Sequence, residues 1–125
     1  FIKSIKLSVS APFHCKYMSK ATKIMEKEIM NLNLKKPINK LVSNVTGNQV
    51  ENVDEIKKLL IDQIESRVRW RESVIFMIKK KITNFIEIGP GKVLNGLIKR
   101  IDKDVNVISI NNEKEIIDLK NNGIF

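Results

Sequence analysis

The fold class of this chain is decided by one stretch, Phe85-Ile86-Glu87-Ile88-Gly89-Pro90-Gly91-Lys92-Val93-Leu94. Its first four residues predict a strand, the two glycines around the proline predict a tight turn, and the apolar residues that follow predict a helix. A strand, a glycine-containing turn and a helix in direct succession are typical of α/β proteins.

The rest of the chain continues this alternation of strands and helices. Alternating apolar residues predict a first strand over 2–10, and a second short strand is predicted over 38–45, before a turn at 46–48. Further predicted elements are helices over 17–32, 52–66, 70–81 and 93–101, a strand over 104–110 and a helix over 113–120. We therefore expect a mostly parallel, three-layer α/β sheet, with residues 1–125 forming one domain.

Three candidate functional segments follow the predicted strands directly. His14 comes just after the first strand, Asn44 at the end of the second, and the turn Gly89-Pro90-Gly91 just after the third. Catalytic groups and ligands gather at the carboxyl ends of parallel strands, so we expect these segments to face one crevice. His14 is the only histidine, and its ring is suited to acid and base catalysis near neutral pH.

Gln63 is a polar residue on the apolar face of the helix predicted over 52–66. A buried amide must find hydrogen-bond partners or cost about 1 to 3 kcal/mol. The simplest interpretation is a buried glutamine that bonds to nearby backbone.

Cys15 is the only cysteine, so neither an intrachain disulfide nor a cysteine zinc site is possible, and a reducing cytoplasmic compartment is expected. Its neighbour His14 suggests a Cys-His nucleophile, but adjacent residues of an extended strand point to opposite faces. A packed cysteine is the alternative. We expect no metal site, because one histidine and one cysteine cannot complete a structural zinc site.

The net charge of +9 favours acidic partners: nucleic acid, a phosphorylated cofactor or an acidic protein. The basic residues are mostly lysines, and aromatic residues make up only 6% of the chain, which argues against a nucleic-acid reader. No apolar run approaches the roughly 20 residues of a membrane span, so no membrane partner is expected. The first residue is Phe1 rather than Met, which suggests a natural start upstream.

Four motifs stand in a definite order. They are Ser10-Ala11-Pro12-Phe13-His14-Cys15 with Met18, then Ser43-Asn44-Val45-Thr46-Gly47, then Val68-Arg69-Trp70-Arg71-Glu72-Ser73-Val74, and Glu87-Ile88-Gly89-Pro90-Gly91-Lys92-Val93-Leu94 with residues 96–100. In order and spacing they resemble the C-terminal part of malonyl-CoA:acyl-carrier-protein transacylase. The resemblance implies the C-terminal half of a three-layer, mostly parallel α/β core, the acyltransferase fold that is similar to α/β-hydrolases.

The resemblance also implies an activity and roles for two residues. The family transfers a malonyl group from malonyl-CoA to the phosphopantetheine thiol of acyl carrier protein through a serine ester. The histidine matching His14 acts as general base and acid. A backbone carbonyl, at the position matching Gln63, orients the imidazole in place of a carboxylate.

Two further residues are assigned to the substrate pocket. Phe13 precedes the histidine directly, which in related acyltransferases accompanies malonyl rather than the bulkier methylmalonyl. Asn44 is expected either to line the same pocket or to cap its own turn.

Parts of the family's active site have no counterpart in the sequence. The chain contains no Gly-x-Ser-x-Gly nucleophile motif, and the family's malonyl-binding arginine and its ferredoxin-like subdomain belong upstream of Phe1. The resemblance therefore implies that this chain supplies the histidine, needs a missing N-terminal half, and is inactive alone. Acyl carrier protein, which is acidic, is the expected partner for the lysine-rich surface. The alternative is a non-catalytic remnant or a module that only binds acyl carrier protein.

Overall fold

The computed structural model describes residues 10–121 and 123 in two compact units, one ending at Trp70 and the other starting at Arg71. The strands are β1 (Leu41–Val42), β2 (Gln49–Val50), β3 (Asn84–Ile88) and β4 (Asn106–Ile110). The helices are α1 (Ser19–Asn31), which follows a 3-10 turn at Lys16–Met18, α2 (Val53–Asp62), α3 (Trp70–Lys79), α4 (Val93–Ile101) and α5 (Glu113–Asn121). Within the described ranges, no helix is long and apolar enough to cross a membrane.

In the first unit, α1 packs against α2, and Ile29 and Ile56 are buried. α2 begins where the sequence predicts, because the Asn52 side chain accepts a 2.9 Å hydrogen bond from the amide of Glu55. The helix ends at Asp62, earlier than predicted, and continues as tight turns over 63–65. The carbonyls of Ile61 and Asp62, at the end of the helix, accept hydrogen bonds from the amides of residues 64–66 in and just after these turns.

The second predicted strand differs from expectation. Instead of one run over 38–45, the chain forms a small antiparallel hairpin in which Leu41 pairs with Val50 and Val42 pairs with Gln49. Gly47 turns the chain with a φ of 70°, and its amide donates to the carbonyl of Ser43 over 2.8 Å. This turn reverses the chain direction, so that β2 runs antiparallel to β1. The strand predicted over 2–10 lies outside the described residues except for Ser10.

The second unit contains the parallel pair that the opening stretch predicts. β3 and β4 are parallel, in register from Asn84 opposite Asn106 to Ile88 opposite Ile110, and α4 connects them. Phe85, on β3, and Ile98, on α4, are buried. This β-α-β arrangement confirms the predicted α/β class.

The carboxylate of Glu87 connects the elements of this unit. It accepts hydrogen bonds from the amides of Leu94 at 3.0 Å and Asn95 at 2.8 Å, in the first turn of α4. The hydroxyl of Ser109, on β4, donates to the same carboxylate over 3.3 Å. Partial burial raises the pKa of Glu87, but these hydrogen bonds outweigh burial and hold the pKa below its usual value. One side chain of β3 thus caps α4 and contacts β4.

Some apolar faces that the sequence predicts as core are exposed. Met25 and Leu32, on the apolar face of α1, are 44% and 47% exposed, and Val93, at the start of α4, is 71% exposed. Helical spacing identifies an apolar face correctly, but the described part of the chain covers only part of that face.

We expect Glu87→Gln to lower the stability of the chain at neutral pH, because an ionised acceptor is replaced by a neutral one. The pKa of Glu87 is lower in the folded state, so its contribution is present above the unfolded pKa of about 4.3 and is lost as the pH falls through the folded pKa. Urea unfolding followed by circular dichroism at pH 7 and pH 3.5 measures this difference. The difference in unfolding free energy between the two proteins should be smaller at pH 3.5 than at pH 7. An equal difference at both pH values would contradict the stabilising role of ionised Glu87. The control is Glu26→Gln, at an exposed position of α1.

Candidate active site

His14 lies in a tight turn between Pro12 and the 3-10 turn that begins α1. The amide of Phe13 donates to the carbonyl of Ala11 over 2.9 Å, and His14 itself has a φ of 60°. This left-handed conformation is uncommon for residues other than glycine, and such strain concentrates at functional sites. His14 is therefore an exposed residue with an unusual backbone conformation.

The imidazole of His14 is held by the end of α2. Its Nδ1 atom lies 2.8 Å from the carbonyl oxygen of Gln63, the residue that follows the last residue of the helix. A carbonyl can only accept, so Nδ1 carries the hydrogen and donates it. The neutral ring is then unprotonated at Nε2, which leaves that nitrogen able to accept a proton. The acceptor is one of the carbonyls that a helix end leaves without an intrahelical partner.

A small cavity of about 140 Å³ lies between the hairpin and α2. Asn44 and Gln63 both line it, and the remaining lining residues are Leu41, Val42, Ser43, Val50, Ile56, Leu59 and Leu60. The structure thus brings Gln63 next to His14 on one side and next to the Asn44 cavity on the other. His14 and Phe13 do not line this cavity, and Phe13 is 57% exposed.

Asn44 is half-buried, and its backbone carbonyl accepts a 2.8 Å hydrogen bond from the amide of Arg69. The turn that contains it is capped by its neighbours, since the hydroxyl of Ser43 accepts from the amide of Val45 and the hydroxyl of Thr46 accepts from the amide of Asn48. Both roles expected for the side chain of Asn44, lining the substrate pocket and capping its own turn, stay predictions. The prediction that the Gly89-Pro90-Gly91 turn shares a crevice with it also stays a prediction.

The thiol of Cys15 donates to the carbonyl of Pro12 over 3.0 Å, while the adjacent imidazole bonds to Gln63. The two side chains thus have different partners, which favours the packed cysteine over a Cys-His nucleophile. Among residues 10–121 and 123, no group of three or more His, Cys, Asp or Glu side chains is placed to hold a metal ion.

One contact near the site has no signal in the sequence. The hydroxyl of Thr22, on α1, donates to a carboxylate oxygen of Glu65 over 2.6 Å, two residues beyond Gln63. The two residues are 43 positions apart, and neither belongs to a recognisable motif. Only the folded chain reveals the pair.

Comparison with known proteins finds relatives over nearly the whole chain. The malonyl CoA-acyl carrier protein transacylase of Bacillus subtilis is 35% identical over 114 residues, which are 91% of this chain and 36% of that protein. An acyl-carrier-protein-S-malonyltransferase from Bartonella henselae has a similar structure, with a TM-score of 0.84 and 36% identity over 94% of this chain and 38% of that one. A malonyl-transacylase solved in complex with a type II polyketide acyl-carrier protein has a TM-score of 0.85 and 31% identity, over 93% and 38%. No protein-family model matches the chain.

These similarities show that the chain has the acyltransferase fold, as the resemblance of the four motifs implies. Within that class the relatives are malonyl-CoA:acyl-carrier-protein transacylases, and the chain is similar in sequence and fold to their C-terminal part. The chain spans about 36% of the length of the Bacillus subtilis relative. The resemblance carried by the four motifs is thereby confirmed.

Because His14 bonds to main chain, we expect Gln63→Ala to leave the imidazole hydrogen bond in place. His14 is the only histidine, so long-range ¹H-¹⁵N spectra of the ring report its tautomer without ambiguity. The Nδ1 and Nε2 signals of Gln63→Ala should match those of the unchanged chain. Loss of the Nδ1-protonated form in this variant would show that the amide side chain, rather than the carbonyl, is the partner.

Proposed function

We propose that this chain supplies the general acid and base of a malonyl-CoA:acyl-carrier-protein transacylase. The observation that carries the proposal is the 2.8 Å contact between Nδ1 of His14 and the backbone carbonyl of Gln63. It selects the neutral tautomer whose Nε2 can accept a proton, which is what activation of a serine nucleophile requires. The substrate and the reaction come from the relatives, which are named as malonyl transacylases.

In the first half-reaction, Nε2 of His14 takes the proton of a serine hydroxyl as its oxygen attacks the thioester carbonyl of malonyl-CoA. The bond between carbon and sulfur breaks, and the coenzyme A thiolate leaves with the proton from the imidazolium. The products are malonyl-serine and coenzyme A. The carbonyl of Gln63 keeps its hydrogen bond to Nδ1 throughout, so the ring need not turn.

The second half-reaction uses the same ring. Nε2 takes the proton of the phosphopantetheine thiol of acyl carrier protein, and the thiolate attacks the malonyl-serine ester. The serine oxygen leaves and recovers its hydrogen from the imidazolium. One histidine in one orientation thus serves both acyl transfers.

The serine has to come from outside this chain. No Gly-x-Ser-x-Gly motif is present in the 125 residues, and the relatives are almost three times as long as the part that matches. We propose that an N-terminal segment brings the serine, the oxyanion hole and the malonyl-binding group. The same partial match also supports a second candidate, a non-catalytic module that binds acyl carrier protein.

Two observations support acyl carrier protein as partner. The chain has a net charge of +9, which favours an acidic partner, and one structural relative was solved in complex with an acyl-carrier protein. We propose that the phosphopantetheine carried by that partner is the acyl acceptor.

A chimera tests the proposal. In it, this chain replaces the matching 114-residue region of the Bacillus subtilis relative, so that the relative supplies the nucleophile. We expect the chimera to transfer malonyl from malonyl-CoA to acyl carrier protein, and His14→Ala to lower kcat by about 10² to 10⁴-fold, the usual contribution of a general base. Malonyl transfer is measured by mass spectrometry of the carrier protein.

Glu26→Gln, at an exposed position of α1, is the control for the chimera and should keep the rate. The purified chain without the graft should give no transfer. A folded chimera that is inactive but still binds acyl carrier protein would favour the non-catalytic module, and an active His14→Ala chimera would overturn the role of the histidine.

In the same chimera, Phe13→Ser should relax the choice of substrate. The phenyl ring is proposed to fill the space of the additional methyl of methylmalonyl, and one methyl in a pocket is worth about 1 to 3 kcal/mol. We therefore expect the ratio of kcat/KM for methylmalonyl-CoA to that for malonyl-CoA to rise by about tenfold. An unchanged ratio would remove Phe13 from the specificity pocket.

A further inference from the structure

Two hydrogen bonds connect the same two segments of the first unit. One joins Nδ1 of His14 to the carbonyl of Gln63 over 2.8 Å, and the other joins the hydroxyl of Thr22 to the carboxylate of Glu65 over 2.6 Å. His14 precedes α1 and Thr22 lies in its first turn, whereas Gln63 and Glu65 lie in the tight turns that follow α2. The two bonds therefore depend on the same separation between these helix ends.

The two segments that join these bonds, residues 14–22 and residues 63–65, are short and contain hydrogen bonds of their own. From His14 it passes through the 3-10 turn, where the amide of Met18 donates to the carbonyl of Cys15 over 3.0 Å, and enters α1. The Thr22 hydroxyl also lies 3.2 Å from the carbonyl of Met18. On the other side, Gln63 and Glu65 are two residues apart in one set of tight turns. A change in the distance of one hydrogen-bonded pair is therefore expected to change the distance of the other.

The two bonds differ in strength. The imidazole of His14 is exposed, so water competes for both its nitrogen and the carbonyl. The Thr22 hydroxyl is partly buried and has a carboxylate as acceptor, and charge-assisted hydrogen bonds are the shorter and stronger kind. The second bond is thus the better able to fix the distance between the helix ends.

We propose that Thr22 and Glu65 are positioning residues that hold the α1 and α2 ends together, so that His14 keeps its hydrogen bond to Gln63. This rests on the proposed function for its catalytic meaning, since the pair acts only through His14. A third hydrogen bond joins the two helices elsewhere, where the Lys57 ammonium on α2 donates to the carbonyl of Met30 on α1 over 2.9 Å. Lys57 and Met30 are distant in sequence from His14, and neither is adjacent to Gln63.

The test uses the ring nitrogens of the only histidine in the 125-residue chain. We expect Thr22→Val, which keeps the shape and removes the hydroxyl, to reduce the Nδ1-protonated fraction in ¹H-¹⁵N spectra by about twofold or more, because the exposed bond then competes with water. Thr22→Ser, which keeps a hydroxyl, should restore the original signals. Ile29→Val and Lys57→Met, which change α1 packing or the third hydrogen bond, should leave the tautomer unchanged.

Unaltered ring signals in a folded Thr22→Val chain would overturn the proposal, as would an equal loss in Ile29→Val. If Thr22→Val does not fold, Glu65→Gln is used instead, because it replaces the carboxylate by a weaker, neutral acceptor. A reduced Nδ1-protonated fraction in that variant would support the proposal, and unaltered ring signals would overturn it. The outcome is separate from the proposed function, because the tautomer is measured without turnover. An inactive chimera with an intact tautomer would count against the function alone.

Discussion

Helix ends leave backbone amides and carbonyls that the helix itself cannot bond, and in this chain the partners of those groups connect the elements of each unit. At the start of α4 the partner is the Glu87 carboxylate, which reaches across from β3. At the end of α2 the partner is the imidazole of His14. At the start of α5, Asn112 accepts from the amide of Glu115, whose carboxylate accepts from the amide of Asn111. The same requirement thus serves folding in one unit and the candidate site in the other.

Those parts of the fold that follow from local chemistry were predictable from the sequence. The stretch 85–94 contains strand, turn and helix signals in direct succession, and β3 and α4 form there. Asn52 caps α2 because its side-chain oxygen accepts from the backbone amide three residues later, a role for which asparagine is among the preferred residues. The identity of the family was also predictable, because four short motifs in one order are far more specific than any single motif.

What the sequence could not predict depends on contacts between distant residues. The turn at 46–48 was predictable, but the strand expected over 38–45 is only Leu41–Val42 and pairs with Gln49–Val50, and strand propensity alone does not show which partner a strand takes. Helical spacing identifies an apolar face but not whether the described chain covers it, as exposed Met25 shows. The pairing of Thr22 with Glu65 has no local signal at all. In the site, His14 was predictable as a residue, whereas its left-handed backbone was not.

The acceptor that holds His14 is a peptide carbonyl, and a peptide carbonyl has no acid-base equilibrium in the range where proteins are stable. A carboxylate in that place would become a hydrogen-bond donor on protonation and would release or reverse the imidazole in acid. The Gln63 carbonyl remains an acceptor throughout that range, so the hydrogen bond to Nδ1 does not depend on the protonation of its acceptor. The orientation of the ring therefore depends on where α2 ends rather than on a second titrating side chain.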